Sequence, residues 1–298
     1  MNFKKYFKAQ SLIEILIGLG VVAIVFSAIT GLMYMSLQNS KTTRERALAQ
    51  TLIDDTSSAI SGIINSDWHS LYTSEGGIGY WSLDEGADIA ADNKVVLDEI
   101  FGNNGLINLG TSGNTSLAQA WQSDSSCVSG KCLSFDGSDD YIDCGSDESL
   151  AFGTGNFTIG LWIKANGTSQ YNAILDKGQP LDSSKSGYQL FLTNGLLRYN
   201  ISDGAGHWTE LVVGGSPDMR DNIWHHFVWV YNGTNNKFYL DKTLLDTDSW
   251  TYGSGNPTAN FLLATSWITP FSGLIDEVRI YNRVLLEDEV KAIYESTK

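Results

Sequence analysis

Residues 224–241 read WHHFVWVYNGTNNKFYLD, a pattern that is typical of β-structure. Two runs rich in aromatic and β-branched residues, 224–231 and 236–241, are separated by a short polar segment that contains Asn-Gly. Aromatic and β-branched residues favour strands, and Asn-Gly between two such runs is typical of a turn. The stretch therefore predicts two β-strands joined by a turn.

The same pattern extends outward in both directions, with short runs about ten residues apart and Gly, Asn, Asp and Ser between them. Regularly spaced short strands with turn residues between them indicate a sandwich or a barrel. The sequence LEDEVKAIYEST at 286–297 predicts a short terminal helix. The predicted strands are 79–83, 131–136, 140–143, 157–164, 172–176, 187–192, 195–201, 207–213, 224–231, 236–241, 260–264 and 271–281.

Six segments in a fixed order make this pattern specific. Together they resemble the LamG-like jelly-roll family of the concanavalin-like lectin superfamily. The resemblance implies an all-β jelly-roll sandwich over residues 67–298. Independently of the resemblance, the spacing predicts that four aromatic residues line the inner faces of two packed sheets, namely Phe157, Trp162, Trp229 and Tyr239. The segments are GYWSLDEG (79–86), DEIFGNNG (98–105), LSFDGSDDYI (133–142), FTIGLWI (157–163), WHHFVWVY with FYLD (224–231, 238–241) and FSGLIDEVRIYNR (271–283).

The N-terminal segment has a different character. Lys4, Lys5 and Lys8 precede a run from residue 15 to residue 40 that has no charged residue. A bilayer core needs about 20 apolar residues, so the run is long enough to cross one as a helix. Lysines before the run and an acidic protein after it predict a cytoplasmic N-terminus and an extracellular C-terminal domain.

Glu14 lies at the entry of this run, where a carboxylate is costly unless it has a partner. The segment KAQSLIE at 8–14 resembles the leader junction of type IV prepilins and pseudopilins. The resemblance implies cleavage by a prepilin peptidase between Ala9 and Gln10, methylation of the new N-terminus, and Glu14 as the fifth mature residue. Glu14 would then pair with the N-terminal amine of a neighbouring pilin subunit. Ala9 and Gln10 depart from the Gly and Phe that are commoner in that family.

The predicted organisation follows from these boundaries. Residues 1–9 are a leader, 10–40 a transmembrane or pilin-core helix, and 41–66 a helical stalk in which apolar residues recur at helical spacing. One long N-terminal helix therefore precedes the sandwich of 67–298. The alternative is a membrane anchor followed by a loose linker, which never polymerises.

The net charge and the cysteines indicate which partners and which cellular compartment the protein has. The formal net charge of −15 argues against nucleic acid as a partner, because phosphate binding needs clustered Lys and Arg. Cys127 and Cys132 enclose a Ser-Gly turn, which predicts a disulfide in an oxidising compartment, with reduced thiols as the alternative. Cys144 is then free or paired elsewhere, and we expect a half-buried thiol.

Acidic residues recur at the turns of the predicted sandwich, and one interpretation is ordinary turn chemistry. The other is a Ca²⁺ site, since calcium takes six to eight oxygen ligands from carboxylates and carbonyls. The resembled superfamily often binds such an ion near the first loop and the last strand. That location maps onto Asp98, Asn103 and Asp276, with Asp84 as a further ligand.

Enzyme activity is not predicted. Glycanases of the resembled superfamily use two carboxylates with the spacing Glu-x-Asp-x-x-Glu, whereas Asp276 and Glu277 are adjacent and would face opposite sides of a strand. Sugar-binding sites use exposed aromatic residues together with Asn, Asp and Gly at loop tips. The aromatic candidates in or near loops are Trp208, Trp250, Tyr252 and Trp267. The alternative for each is packing in the core or at its rim, and the sequence does not choose among the four.

The sequence therefore predicts a pilin-like surface protein that displays a lectin-like module for adhesion or carbohydrate binding. Its expected partners are other pilin subunits, the prepilin peptidase, the membrane, and a glycan or matrix ligand. The alternatives are an anchored binding protein that does not polymerise, an extracellular glycanase, and a structural module without a ligand.

Overall fold

The computed structural model of the protein describes residues 23, 25–30, 76–86, 94–180, 182–264 and 269–297. The chain divides into two compact units, Met1–Trp68 and His69–Lys298. Residues 25–30 of the first unit are helical. The predicted leader, the stalk at 41–66 and the residues Ala9, Gln10 and Glu14 lie outside the described residues. Among the residues that the structure does describe, no helix is both long and apolar enough to span a bilayer.

The second unit is almost entirely β-structure, with one short helix inside the chain and one at its end. The helices are α1 (Leu117–Ala120) and α2 (Glu287–Ser296). The strands are β1 (Gly77–Trp81), β2 (Val95–Val96), β3 (Gly105–Asn108), β4 (Trp121–Gln122), β5 (Cys132–Asp136), β6 (Tyr141–Asp143), β7 (Phe157–Ala165), β8 (Tyr171–Lys177), β9 (Ser186–Thr193), β10 (Leu196–Asp203), β11 (Trp208–Val212), β12 (His225–Tyr231), β13 (Asn235–Leu240), β14 (Thr243–Ser249), β15 (Phe261–Leu263) and β16 (Ser272–Tyr281).

The strands form two eight-stranded antiparallel sheets. Sheet I has the order β14-β13-β12-β7-β16-β5-β4, and β1 also pairs with β16. Sheet II has the order β11-β10-β9-β8-β15-β6-β3-β2. Strands that are distant in sequence lie side by side in both sheets, which is the arrangement of a jelly-roll sandwich.

All twelve predicted strands are present with ends within two residues of the prediction, and the terminal helix is confirmed as α2. The strands without a predicted counterpart are β2, β3, β4 and β14. Of these, β2 and β4 contain two residues each. Strand β14 has the sequence TLLDTDS, lies at the edge of sheet I and buries no residue fully, so it lacks the apolar alternation that marks a half-buried strand.

The core between the sheets is built from aromatic rings packed against one another. Phe157 lies 5.3 Å from Trp229 in an edge-to-face arrangement, and Tyr199 lies 4.8 Å from Phe238, measured between ring centroids. All four side chains have essentially no exposed surface. The prediction that Phe157 and Trp229 face inward is confirmed.

The same prediction is wrong for Trp162 and Tyr239, which lie on the outer face of sheet I beneath α2. The Trp162 ring stacks on Tyr294 at 5.2 Å, and Tyr239 packs in the apolar cluster that contains Val290. Trp162 is five residues from Phe157 on one strand, and an odd separation places two side chains on opposite faces. This second apolar layer fixes α2 against sheet I.

A β-bulge in β16 also changes one expectation. Asp276 pairs with Trp162 and Arg279 pairs with Gly160, so the segment from Asp276 to Arg279 contains one extra residue. Glu277 occupies this bulge with a positive φ of 53°, and its carboxylate contacts the side chain of Arg279 on the outer face. Asp276 and Glu277 therefore share the outer face of sheet I rather than facing opposite sides, because a bulge resets the alternation.

The predicted Cys127–Cys132 disulfide is present, with 5.5 Å between the two Cα atoms. The expectation of a half-buried Cys144 is wrong, since its side chain is only 2% exposed. Its backbone N–H donates to the carbonyl oxygen of Phe261, which holds the residue after β6 against the core. Burial raises the pKa of this thiol well above its usual value, so the thiol stays protonated and unreactive.

Candidate functional site

A row of side chains crosses the outer face of sheet II. Residues directly opposite each other in neighbouring antiparallel strands point to the same face, so the strand register alone defines the row. The residues next to its members in sequence, such as Leu190 and Tyr199, point into the core between the sheets instead. We call it the polar row, and its members are Asp143, Leu262, Asp176, Gln189, Asn200 and Glu210.

The centre of the polar row is a buried hydrogen-bonded chain. Gln189 Nε2 donates to Asp176 Oδ2 at 2.8 Å, and Asn200 Nδ2 donates to Gln189 Oε1 at 3.0 Å. The backbone N–H of Gln179 donates to Asp176 Oδ1 at 3.0 Å. Burial raises the pKa of Asp176 to about 6. Asn200 Oδ1 is buried without a donor, and it is therefore an acceptor that the described residues do not use.

The polar row opens into a cavity of about 210 Å³. Asn260 Nδ2 donates to Asp143 Oδ2 at 2.8 Å across one wall, and Lys177 Nζ donates to the carbonyl oxygen of Ala259 at 2.8 Å. Pockets for drug-sized ligands measure about 300–1,000 Å³, so this cavity fits one small ring with several polar contacts. Its lining is Tyr141, Asp143, Asp176, Gln179, Ala259, Asn260 and Leu262.

One exposed aromatic residue contacts the segment next to this wall, and a second stacks on the residue that precedes the first in sequence. Trp208 pairs with Ser202 on the same face as the polar row, is 38% exposed, and donates its indole N–H to the carbonyl oxygen of Pro180, next to Gln179. Tyr252 is 45% exposed and stacks on His207 with 3.5 Å between ring centroids. Both were predicted as sugar-contacting candidates and both present an open ring edge or face. Of the other two candidates, Trp250 is buried and Trp267 lies outside the described residues.

The predicted calcium ligands fall into two pairs. In the first pair, both oxygens of Asp98 are already occupied by backbone N–H donors at 2.9–3.3 Å, and the Asn103 side chain donates to Ser149 Oγ at 3.3 Å. A carboxylate that accepts four amide hydrogens shapes a turn and has little capacity left for a cation. The donors to Asp98 are the backbone N–H groups of Tyr80, Ile100, Phe101 and Asn103.

The second pair, Asp84 and Asp276, holds the disulfide loop. Asp84 Oδ1 accepts the backbone N–H of Lys131 at 2.6 Å, and Asp276 Oδ2 accepts that of Val128 at 2.9 Å. Asp276 Oδ1 is buried without a donor, and burial raises the pKa of this carboxyl to about 8. The four residues therefore do not form one group of ligands, and calcium binding at Asp84 and Asp276 stays a prediction.

The outer face of sheet I also carries Glu277, which is 4% exposed and bonds to Arg279 at 2.6 Å and to the Tyr80 hydroxyl at 3.0 Å. Asp276 beside it has no exposed surface. Carboxylates that act on a glycan must reach the substrate, and these two are enclosed by protein. The lack of enzyme activity stays a prediction.

The residues at the centre of the polar row were missed by sequence reasoning. Gln189 and Asn200 each lie between two apolar residues, in YQL and YNI, and Asp176 follows the apolar run AIL. A polar residue inside an otherwise apolar strand is the signal that could have found them, because such a residue needs a buried partner. The partners themselves depend on strand register, which the sequence did not provide.

The fold and the site define a two-sheet β-sandwich of the lectin type. The family model described as the concanavalin A-like lectin/glucanases superfamily matches residues 136–291, more than half of the chain. The chain belongs to this superfamily, which confirms the resemblance drawn from the six sequence segments. No curated protein matches the sequence.

Solved structures repeat the same architecture. The binding domain of Paraclostridial Mosquitocidal Protein 1 aligns with a TM-score of 0.56 and 17% identity over 74% of this chain and 52% of that domain. The binding domain of botulinum neurotoxin DC, solved with rat synaptotagmin II, gives 0.52 and 14% over 75% and 52%. Domain 4 of AbnA, a GH43 extracellular arabinanase from Geobacillus stearothermophilus solved with arabinotriose, gives 0.52 and 18% over 73% and 98%.

This chain spans about half the length of the toxin domains, and nearly all of the arabinanase domain. Identities below 20% show a common fold only. The ligand of this protein must therefore be inferred from its own side chains.

Proposed function

We propose that the sandwich is a glycan-binding module and that the polar row with its cavity is the binding site. The observation that carries the proposal is the buried hydrogen-bonded chain that runs from Asn200 through Gln189 to Asp176, whose carboxylate lines the open cavity. Burying polar side chains is costly, and the hydrogen bonds within this chain offset that cost and hold Asp176 in place at the cavity. The carboxylate and amide side chains that do line the cavity, such as Asp143, Asp176 and Asn260, are of the kind that bonds to the hydroxyl groups of a sugar.

The aromatic residues complete the chemistry that a sugar requires. A pyranose or furanose ring presents C–H groups on one face and hydroxyl groups around its edge, so it is bound by an aromatic ring together with fixed polar groups. Trp208 and Tyr252 offer exposed rings, and Asn260 offers an exposed amide at the cavity wall. That the arabinanase domain was solved with arabinotriose supports a saccharide as the first ligand to test.

The test is a glycan array that includes arabino-oligosaccharides, read with calcium and with a chelator. We expect Asn260→Ala to weaken binding at least tenfold, because a lost hydrogen bond to a polar ligand costs about 1.4 kcal/mol or more. Asn235→Ala is the matched control, since Asn235 lies on sheet I and bonds only within its own turn and strand neighbours. Equal binding by the two variants, or an array without signal in either condition, would refute the proposal.

We further propose that the N-terminal segment presents this module as a pilin-like subunit, anchored with its N-terminus in the cytoplasm and its sandwich outside. The support is the sequence around Glu14, together with a disulfide that fits an oxidising compartment. The partners in this proposal are the prepilin peptidase and neighbouring pilin subunits, whose N-terminal amine would neutralise Glu14.

For the native protein we expect a mature, methylated N-terminus at Gln10 in mass spectrometry. Glu14→Leu should leave cleavage possible but abolish incorporation into filaments, because the buried amine loses its counter-charge. Gln38→Leu, a polar-to-apolar change at the other end of the apolar run, is the control and should incorporate normally. An intact Met1 terminus would favour the anchored, non-polymerising alternative.

A further inference from the structure

The outer face of sheet II continues past the polar row onto strand β3. Leu106 of β3 pairs with Asp143, and Asn108 pairs with Tyr141. Ile107 lies between them in the sequence and is buried in the core, so Leu106 and Asn108 point outward. Directly opposite side chains in neighbouring strands share one face of a sheet. These two residues of β3 therefore lie beside the side chains that line the first cavity, the one of about 210 Å³.

A second and larger cavity, of about 550 Å³, lies along β3. Strand β2 pairs with β3 only through Val95 and Val96, so within the described part of the chain no strand covers the later residues of β3 on that side. The cavity occupies this open edge, which leaves room for a ligand next to the polar row. Its lining includes Leu106 and Asn108 of β3, together with Lys94, Thr115, Ser116 and Leu117.

Strands β3 and β6 separate the two cavities. Tyr141 and Asp143 of β6 line the first cavity, and their cross-strand partners Asn108 and Leu106 line the second. Neighbouring strands lie about 4.8 Å apart, so two strands place the cavities roughly 10 Å apart along one line across the sheet. A chain of three sugar units is long enough to reach from one cavity to the other.

The second cavity combines apolar surface with fixed polar groups. Leu106 is 48% exposed and offers an apolar surface to the C–H face of a sugar ring. Asn108 Nδ2 donates to the carbonyl oxygen of Leu106 at 3.1 Å, which fixes the amide and leaves its oxygen as an acceptor. Ser116 Oγ donates to Gln119 Oε1 at 3.0 Å, which leaves the lone pairs of the hydroxyl to accept. These groups suit the hydroxyl groups and the ring face of a sugar unit.

We propose that the second cavity is a further subsite of the glycan-binding site, and that the ligand is a linear oligosaccharide of at least three units whose ends lie in the two cavities. This inference rests on the proposed function of the polar row. A second unit on the same chain binds at a high effective concentration once the first is in place. Affinity should therefore rise with chain length until both cavities are filled, and then stay constant.

The experiment uses the full chain and measures the binding of arabinose, arabinobiose, arabinotriose and arabinopentaose by calorimetry. We expect arabinotriose to bind at least tenfold more tightly than arabinose, and arabinopentaose to bind about as tightly as arabinotriose. Asn108→Ala should weaken the binding of arabinotriose at least fivefold and leave the binding of arabinose unchanged, because arabinose needs only the first cavity. The melting temperature of this variant checks that its fold is retained. Asn235→Ala, on sheet I, is again the control and should bind every ligand as the wild type does.

Three outcomes would overturn the inference, and they differ in what they leave standing. Equal affinities for arabinose and arabinotriose would exclude the second subsite while the glycan-binding function remained. So would an Asn108→Ala variant that keeps the wild-type fold and binds arabinotriose as tightly as the wild type. A failure to bind saccharides of any length would instead overturn the inference together with the function on which it rests.

Discussion

Replacing Arg279 with Met is expected to lower the free energy of unfolding by about 3–5 kcal/mol, the typical loss when one partner is removed from a buried ion pair. Arg279 and Glu277 are 3% and 4% exposed and lie 2.6 Å apart. The guanidinium also lies 4.5 Å from the centre of the Tyr80 ring. Without Arg279, the Glu277 carboxylate would be left in a buried position with only the Tyr80 hydroxyl as a neutral partner.

Arg198→Met is the matched control for this variant. Arg198 and Glu210 are also 2.6 Å apart, but they are 29% and 32% exposed, so water screens the pair and its loss should cost less than about 1 kcal/mol. Chemical unfolding followed by tryptophan fluorescence measures both, since eight of the nine Trp residues lie in the second unit. Replacing both partners, as in Glu277→Leu with Arg279→Met, should recover most of the loss. Equal losses for Arg279→Met and Arg198→Met would contradict the prediction.

His226→Phe is expected to make the protein more stable in acid relative to wild type, by about 3 kcal/mol at pH 4. Burial beneath α2, with a further contribution from the charge of Arg279, lowers the pKa of His226 to about 3. In the unfolded chain the same side chain titrates near 6.5. The neutral ring therefore contributes stability that is fully present above pH 6.5 and is lost as the pH falls toward 3. Phe fills the same place against Trp162 and Tyr294 without taking up a proton.

The neighbouring His225 provides the opposite sign and so a control. Hydrogen bonds to Asp241 and Asp221 raise the pKa of His225 to about 9. Its contribution to stability is present below pH 6.5 and is lost as the pH rises through 9, so His225→Gln should destabilise the protein more at pH 5 than at pH 10. Unfolding curves at pH 4, 5, 7 and 10 measure both variants. A His226→Phe variant with the same loss of stability in acid as the wild type would show that another group causes that loss.

The twelve strands that carry the core could be predicted because each one combines apolar residues with turn residues at its ends. Strand β14 could not, because an edge strand without a buried face lacks that signal. The side-chain faces were predicted correctly for Phe157 and Trp229 and wrongly for Trp162 and Tyr239. Alternation along one strand would have corrected Trp162, whereas the apolar layer beneath α2 depends on a tertiary contact.

The candidate site was predictable only in its parts. Trp208 and Tyr252 could be named as candidates because they lie in or near predicted loops, but the sequence did not separate them from Trp250, which is buried. The polar row could not, because Asp176, Gln189 and Asn200 come together through the register of three strands. Asp98 was read as a calcium ligand on the strength of the family resemblance, whereas its oxygens accept backbone N–H groups of its own turn and of β1. A sequence shows where carboxylates occur, but it does not show which hydrogen-bond donors contact their oxygens.

The acidic residues of the edge strand β14 affect the tendency of this protein to aggregate at high concentration. Asp246 pairs with Phe238, a core residue, and Asp248 pairs with Asn236. Both carboxylates therefore lie on the inner face of sheet I, at its edge strand. A foreign strand docking along this margin would have to place its own side chains beside those two charges. Inward-directed charges on a terminal strand are a known defence against uncontrolled sheet extension. The edge strand β14 therefore disfavours intermolecular strand pairing and the aggregates that such pairing would produce.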